Sequence, residues 1–171
     1  MDLDLQKLQR IVIGVDPAVT NNANSDTTGI IVAAKGLDGF GYILDDLSMK
    51  GSPNEWAKEV VRAYHYYKAD RIVAEVNQGG DLVQQVIRSI DPYVSYKAVR
   101  ASKGKVTRAE PIAALYEQKR IYHVKPLEKL EDEMCNWSPA FSSTSPDRVD
   151  ALVWALTELF IDGNHAPPDI F

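Results

Sequence analysis

The sequence predicts a mixed α/β fold, in which a sheet of five strands is flanked by helices. Short apolar runs at residues 11–15, 29–34, 40–47, 70–76 and 94–99 have the length and composition of buried strands. Apolar residues recur at helical spacing between and after these runs. The elements follow the order β-β-β-α-β-α-β-α with further helices appended, which is typical of a mixed sheet covered by helices.

The N-terminal part of the chain contains three of the predicted strands. Residues 11–15 are continuously apolar, as in a strand that is buried on both faces. The loop that follows contains Pro17 and three asparagines. A turn at 35–39 separates the second run from the third. Residues 11–47 are therefore predicted to form an antiparallel meander.

The middle of the chain alternates between helices and strands. Ser52, Pro53 and Glu55 suit the N-cap, N1 and N3 positions of a helix, where they satisfy or avoid unpaired N–H groups of the first turn. The strand at 70–76 follows this helix. A second helix is predicted at 81–90, before the fifth strand.

The C-terminal third is predicted to be mainly helical. A third helix covers 105–118, a short apolar run follows at 121–124, and a charged helix lies near 127–135. The last helix runs from about 146 to 160 and carries the apolar stripe of a core-facing helix. The stripe consists of Val149, Leu152, Val153, Leu156, Leu159 and Phe160.

Length and composition indicate one domain over residues 1–171, with its core at about 10–160 and an irregular tail at 161–171. Apolar residues make up 45% and charged residues 25%, a balance typical of globular proteins. No apolar run is as long as a membrane span, the N-terminus lacks the features of a signal peptide, and Cys135 is the single cysteine. We therefore expect a cytoplasmic protein that has no membrane partner.

Four acidic residues lie where charge is unexpected. Asp16 directly follows an apolar strand, and Glu75 lies inside another. A buried carboxylate must be paired or bound to a metal. Asp147 and Asp150 are three residues apart in the last helix and share one face, and Asp150 lies next to the apolar stripe. The structural alternatives are a turn at Asp16 before Pro17, a solvent-facing Glu75, and a capping role for Asp147.

Together these acids suggest a site for hard divalent cations. Crowded carboxylates repel one another, and two Mg²⁺ or Mn²⁺ ions about 3.5–4 Å apart would remove that repulsion. Such a pair of ions hydrolyses phosphodiesters without a protein nucleophile, and the sequence carries no nucleophile motif. No cluster of His and Cys residues indicates zinc instead. The net charge of −5 argues against a protein that coats nucleic acid in general. It does not argue against a nuclease, because bound cations neutralise the acidic residues of a nuclease active site.

Six motifs, in order and spacing, resemble the C-terminal nuclease domain of the large terminase subunit of tailed bacteriophages and prophages. They cover about residues 10 to 160. The motifs are Ile13-Gly-Val-Asp-Pro-Ala18, Asp26-Thr-Thr-Gly-Ile30, Ala74-Glu-Val-Asn-Gln-Gly-Gly80, Lys103-Gly-Lys-Val-Thr-Arg-Ala-Glu-Pro111, Ile121-Tyr-His123 and Pro146-Asp-Arg-Val-Asp-Ala-Leu-Val-Trp-Ala-Leu-Thr-Glu158.

The resemblance implies an RNase H-like (retroviral integrase-like) fold and a metal-dependent endonuclease of double-stranded DNA. It implies that Asp16, Glu75 and Asp150 are the catalytic, metal-binding triad, with Asp147 as an additional ligand of two Mg²⁺ or Mn²⁺ ions. Such domains cut DNA concatemers during genome packaging, where the parent system adds a terminase ATPase domain, a small terminase subunit and a portal. The sequence has no Gly-x-x-x-x-Gly-Lys-Ser/Thr phosphate loop, so we expect no ATPase domain in it.

The densest basic stretch runs from Lys97 to Arg108 without an acidic residue. A solvated loop and helix start is the structural alternative. The resemblance implies that Lys103, Lys105 and Arg108 contact DNA phosphates near the metals, which would position a duplex without reading its sequence.

Other functions remain open at this point. A Holliday-junction resolvase or an RNase H would place acids at strand ends in the same way. A non-catalytic DNA-docking module on the same fold would carry the acids as structural residues.

Overall fold

The computed structural model describes residues 4–18, 27–76, 81–101, 104–136 and 147–162, with Asp81 and Lys105 described by their backbone only. A 3₁₀ turn at Leu5–Lys7 precedes seven strands and five α-helices within these residues. The strands are β1 (Leu8–Asp16), β2 (Thr27–Gly36), β3 (Gly41–Asp46), β4 (Met49–Lys50), β5 (Arg71–Glu75), β6 (Tyr96–Val99) and β7 (Ile121–His123). The helices are α1 (Pro53–Tyr66), α2 (Asp81–Ile90), α3 (Lys105–Glu117), α4 (Glu128–Asn136) and α5 (Asp147–Phe160).

The strands form one mixed sheet in the order β6-β5-β1-β2-β3-β7, with β4 paired to β2. Strands β1, β2 and β3 are antiparallel neighbours, so the predicted meander is confirmed. Strands β5 and β6 are parallel additions on the other side of β1. The mixed α/β fold is confirmed, but the described residues hold two strands more than the five predicted. Both are too short for a periodic signal: β4 has two residues, and the three residues of β7 add in parallel to β3.

The capping pattern at the start of α1 forms as predicted. The Ser52 hydroxyl accepts a hydrogen bond from the Glu55 N–H at 3.3 Å, and the Glu55 carboxylate accepts one from the Ser52 N–H at 3.0 Å. These two bonds satisfy N–H groups that have no partner inside the helix. Helix α1 then buries Trp56 and Val60 against the sheet.

The two faces of the sheet pack against different helices. Along β1, Ile13 and Val15 belong to the apolar cluster that includes residues of α1 and α2, whereas Val12 belongs to the cluster that includes α5. This alternation follows from the two-residue period of a strand. Even-numbered residues of β1 therefore face α5. No helix in the described part of the chain is long and apolar enough to cross a membrane.

Two glycines let α5 lie directly on the sheet. A Cβ atom at Gly14 of β1 would lie 2.2 Å from the Ala151 carbonyl oxygen, and one at Gly29 of β2 would lie 2.1 Å from the Asp147 carbonyl oxygen. Any side chain at these positions would collide with helix backbone. The first two turns of α5 consequently cross β2 and β1 in close contact.

The last turns of α5 are fixed by a buried acid, Glu158, whose residue is 3% exposed. Its carboxylate pairs with Arg10 at 2.8 Å, Lys97 at 2.9 Å and Arg71 at 3.2 Å, so each of β1, β6 and β5 supplies one cation. A buried carboxylate without such partners would be strongly destabilising. These ion pairs anchor the C-terminal half of α5 to three strands.

The contribution of Glu158 to stability is expected to depend on pH. Burial favours the neutral acid, but hydrogen bonds from Lys97 and Arg10 outweigh that effect and hold the pKa of Glu158 below its usual 4.5. A carboxyl with a lowered folded-state pKa adds stability that is present above its unfolded-state pKa and is lost as the pH falls through the folded-state value. The difference in unfolding free energy between the native protein and Glu158→Gln should therefore be largest near neutral pH and shrink in acid below 4.5. Urea unfolding at several pH values measures it, and a difference that does not change with pH would contradict the expectation.

Candidate metal and nucleic-acid site

Asp16 and Glu75 end two neighbouring parallel strands. Val15 of β1 is in register with Ala74 of β5, so the next residue on each strand is one of the two acids. Parallel strands bring their carboxyl ends to one edge of a sheet. Asp16 is 7% exposed, which makes it one of the few buried charged residues among those described.

Both acids are on the face that α5 covers. Asp16 is two residues after Gly14, which lies under Ala151 of α5, and the strand period therefore directs Asp16 to the same side. Glu75 contacts α5 directly: its Oε1 atom accepts a hydrogen bond from the Trp154 indole N–H at 2.5 Å.

Helix α5 carries its own acids to this edge. The Asp147 backbone lies on Gly29, and Gly29 is in register with Asp16. Asp150, 5% exposed, follows one turn later and shares a helix face with Asp147 and Trp154 because three and four residues separate them. The structure thus places Asp16 and Glu75 at one end of the sheet, with the acidic first turn of α5 above them.

The acids share this edge without forming a closed ligand cluster. Within the described ranges, no three His, Cys, Asp or Glu side chains form a group that could hold a metal ion. Glu75 is engaged elsewhere, by Trp154 and by Arg108, whose Nη1 atom lies 3.3 Å from the same Oε1 oxygen. The donor chemistry still fits a hard divalent cation, since all the candidate ligands are carboxylate oxygens carried on strand ends and a helix start.

Arg108, for which the resemblance implies a contact to DNA phosphates near the metals, is mostly buried. Its guanidinium carbon lies 4.9 Å from the centre of the Trp154 ring, and its side chain is only 12% exposed. Arg108 therefore belongs to the acid-bearing edge itself. Lys103 lies outside the described residues, and only the backbone of Lys105 is described, at the start of α3. Lys97 is paired with Glu158 at the far end of α5.

The first turn of α5 is held by residues that the sequence did not single out. Glu133 of α4 accepts hydrogen bonds from the backbone N–H groups of Arg148 and Val149, at 3.1 and 3.4 Å. The Arg148 side chain bonds to Glu133 at 2.9 Å and to Asp46 of β3 at 3.0 Å. A carboxylate that caps a helix start satisfies N–H groups and interacts favourably with the helix dipole. This network fixes the turn that carries Asp147 and Asp150.

Replacing Arg148 with Met should destabilise the protein by about 1–3 kcal/mol, because Asp46 and Glu133 would keep their charges without the cation that links them. The Asp46 side chain is only 9% exposed, so water compensates little. Urea unfolding measures the change. Arg62→Met is the matched control: Arg62 pairs with Glu59 on the surface of α1 with its side chain 53% exposed, and should cost less than about 1 kcal/mol. Equal losses in the two variants would contradict the assigned role.

Comparison with known proteins identifies the fold and the family. A sequence profile of the terminase RNaseH-like domain matches residues 13–159. No curated protein matches the chain. The large terminase nuclease of thermophilic phage G20c, solved with bound magnesium, superposes with a TM-score of 0.68 at 18% identity, covering 87% of this chain and 81% of that one.

Two further solved structures have a similar fold. A mutant nuclease domain of the large terminase subunit of bacterial virus Sf6, with manganese and β-thujaplicinol, gives a TM-score of 0.61 at 13% identity over 88% of this chain and 89% of that one. The yeast mitochondrial Holliday junction resolvase gives 0.52 at 11% identity over 84% and 75%. The sheet order and these likenesses establish an RNase H-like fold. Since the family profile spans most of the sequence, the chain belongs to the family of terminase RNase H-like nuclease domains.

Proposed function

We propose that this protein is a divalent-metal-dependent endonuclease that cleaves double-stranded DNA by two-metal hydrolysis of a phosphodiester bond. The proposal rests on one observation above all: in a chain of this nuclease family, Asp16 and Glu75 end adjacent parallel strands beneath the acidic first turn of α5. Asp16 and Asp150 are also both buried, at 7% and 5% exposure, which is the burial expected of carboxylates that form a metal site.

Asp16, Glu75 and Asp150 would hold two Mg²⁺ or Mn²⁺ ions, with Asp147 as an additional ligand. When bound, such ions supply the positive charge and Lewis acidity that phosphodiester hydrolysis needs. The protein's part is to keep several carboxylates together and in place. The start of α5 contributes, because the positive end of the helix dipole favours negative charge in the first turn. The close contacts at Gly14 and Gly29 and the Glu133 cap then fix the position of that turn.

Solved relatives of the same fold support metal use, since the nucleases of phages G20c and Sf6 were obtained with magnesium and with manganese. For the substrate, Lys103 and Lys105 would contact DNA phosphates, and Arg108 would do so at the acid-bearing edge. Contacts of this kind carry no sequence information, so low sequence preference is expected. In a parent packaging system, the partners would be a terminase ATPase domain, the small subunit and the portal, in the cytoplasm of a bacterial host.

Resolution of Holliday junctions is the second candidate, favoured by the similarity in fold to the yeast mitochondrial resolvase. The two activities differ in substrate rather than in the acids that they need. An RNase H would differ again, by requiring an RNA–DNA hybrid.

One assay separates these functions. The protein is incubated with linear duplex, a four-way junction or an RNA–DNA hybrid, each with Mn²⁺ or Mg²⁺ and each with excess chelator. We expect cleavage of the duplex with metal and none with chelator. A strong preference for the junction or the hybrid would replace the terminase-like substrate. Binding of duplex without cleavage in either metal would instead indicate a docking module.

A further inference from the structure

We propose that Arg108 holds Glu75 away from metal until DNA arrives, while Trp154 keeps the Glu75 carboxylate in position; this inference rests on the proposed function. The three side chains come from different elements: Glu75 from the end of β5, Arg108 from the first half of α3 and Trp154 from the middle of α5. We call the contacts among these three side chains the Glu75 clamp.

Both partners of the clamp engage one carboxylate oxygen. The Trp154 indole N–H donates to Glu75 Oε1 at 2.5 Å, and Arg108 Nη1 lies 3.3 Å from the same atom. The Arg108 guanidinium also lies over the Trp154 ring at 4.9 Å, so the arginine is held from two directions. The Arg108 and Glu75 side chains are only 12% and 16% exposed, which strengthens their attraction relative to a surface ion pair.

Arg108 and a divalent cation would compete for Glu75. Both are cations that bind carboxylate oxygens, and two cations at one oxygen repel each other. An ion ligated through Oε1 must therefore displace the guanidinium or accept a weakened bond. The neutral indole of Trp154 causes no such repulsion. Trp154 is thus a positioning residue, whereas Arg108 opposes metal binding.

A DNA phosphate gives the displaced arginine another anion to bind. Guanidinium groups bind phosphate through two parallel hydrogen bonds, in the same way as they bind carboxylates. Arg108 also lies one turn after Lys105 in α3, so a duplex bound at the start of this helix would bring a phosphate within its reach. Moving Arg108 from Glu75 to that phosphate would release the carboxylate for metal at the moment when substrate is present.

The clamp predicts that metal and DNA promote each other's binding, because a coupling between two sites is reciprocal. It further predicts that removing the Arg108 charge, without DNA, produces part of the gain in metal affinity that DNA binding produces. These consequences distinguish the clamp from a static ion pair, which would affect stability alone.

Titration calorimetry with manganese chloride, without DNA, tests the first part. We expect Arg108→Gln to bind Mn²⁺ about 5-fold or more tightly than the native protein. Arg62→Gln is the matched control, since Arg62 also pairs with a glutamate, Glu59, and lies 5.9 Å from an aromatic ring, that of Tyr66. The control should bind Mn²⁺ as the native protein does. Equal or weaker binding by Arg108→Gln would overturn the proposal.

A duplex with a nuclease-resistant phosphorothioate backbone tests the coupling. Adding it should raise the Mn²⁺ affinity of the native protein and change that of Arg108→Gln much less. Equal gains in Mn²⁺ affinity in both proteins would refute the idea that DNA releases Glu75 from Arg108. Trp154→Phe keeps an aromatic face but loses the N–H, and should weaken Mn²⁺ binding by about 10-fold. An unchanged affinity, with only a lower melting temperature, would reduce Trp154 to a core residue.

The same titrations separate failure of the clamp from failure of the proposed function. Absence of Mn²⁺ binding to the native protein, or full binding to Asp150→Asn, would refute the metal site itself. Binding that depends on Asp150 but not on Arg108 would refute the clamp and leave the nuclease proposal standing.

Discussion

Asp150→Asn should reduce metal-dependent cleavage of plasmid DNA by more than about 100-fold, since even the partners that merely orient metal ligands contribute about 10–100-fold. The exchange keeps the size of the side chain and removes its negative charge. Asp150 is 5% exposed in the first turn of α5, three residues after Asp147, whose backbone lies on Gly29 beside Asp16. In the proposed site, the loss of the Asp150 charge would weaken metal binding.

The control for this prediction is Asp132→Asn, which makes the same chemical change at an exposed position of α4. It should cleave plasmid at the native rate. Both variants should retain the melting temperature of the native protein within a few degrees. Cleavage by Asp150→Asn at the native rate would show that Asp150 is not part of the catalytic centre. An equal loss in Asp132→Asn would assign the effect to overall charge.

Gly29→Ala should lower both stability and cleavage, although it adds a single methyl group. That methyl would lie 2.1 Å from the Asp147 carbonyl oxygen and 2.7 Å from the carbonyl carbon, and helix backbone cannot move aside as a flexible side chain could. Overpacking of this kind costs about 1–3 kcal/mol. For a chain of this size, that corresponds to a fall in Tm of roughly 2–12 °C. The cleavage rate should fall by more than the loss of folded protein explains, because the displaced turn carries Asp147 and Asp150.

Gly104→Ala is the comparison for this effect. A Cβ atom at Gly104 would meet no heavy atom within 4 Å, and its φ of −65° suits any residue. It should cost less than about 1 kcal/mol, the scale of a helix N-cap exchange. Thermal melting and the plasmid assay, run on both variants, measure the two effects. Native-like behaviour of Gly29→Ala would mean that α5 can shift on the sheet without loss.

Local sequence signals predicted most of the fold. A strand at 11–15 and a helix start at Ser52 and Glu55 are specified by residues that are adjacent in the chain. Both formed as expected. Strands β4 and β7 escaped prediction because pairing with distant strands, rather than their own composition, makes them strands.

The sequence predicted which acids would lie at this end of the sheet, but not which residues would surround them. Glu75 stood out as a charge inside an apolar strand, but nothing local to it indicates that Arg108 and Trp154 would bind its carboxylate. Trp154 had one usable signal, its position four residues after Asp150 on the same helix face. Glu133 had none, because a cap supplied by another helix depends on tertiary packing alone.

The ion pairs of Glu158 also favour one register of the strands in the sheet over others. Strand β1 carries Arg10 near its start and Asp16 at its end, while β5 begins with Arg71 and ends with Glu75. A slip of either strand by one residue would turn its cation and its acid to the opposite face together. Glu158 would then be left buried with one partner fewer, at a considerable cost in free energy. The ion pairs at the C-terminal end of α5 thus destabilise misaligned strand pairings. They thereby also fix the alignment of Asp16 and Glu75 near the other end of the helix.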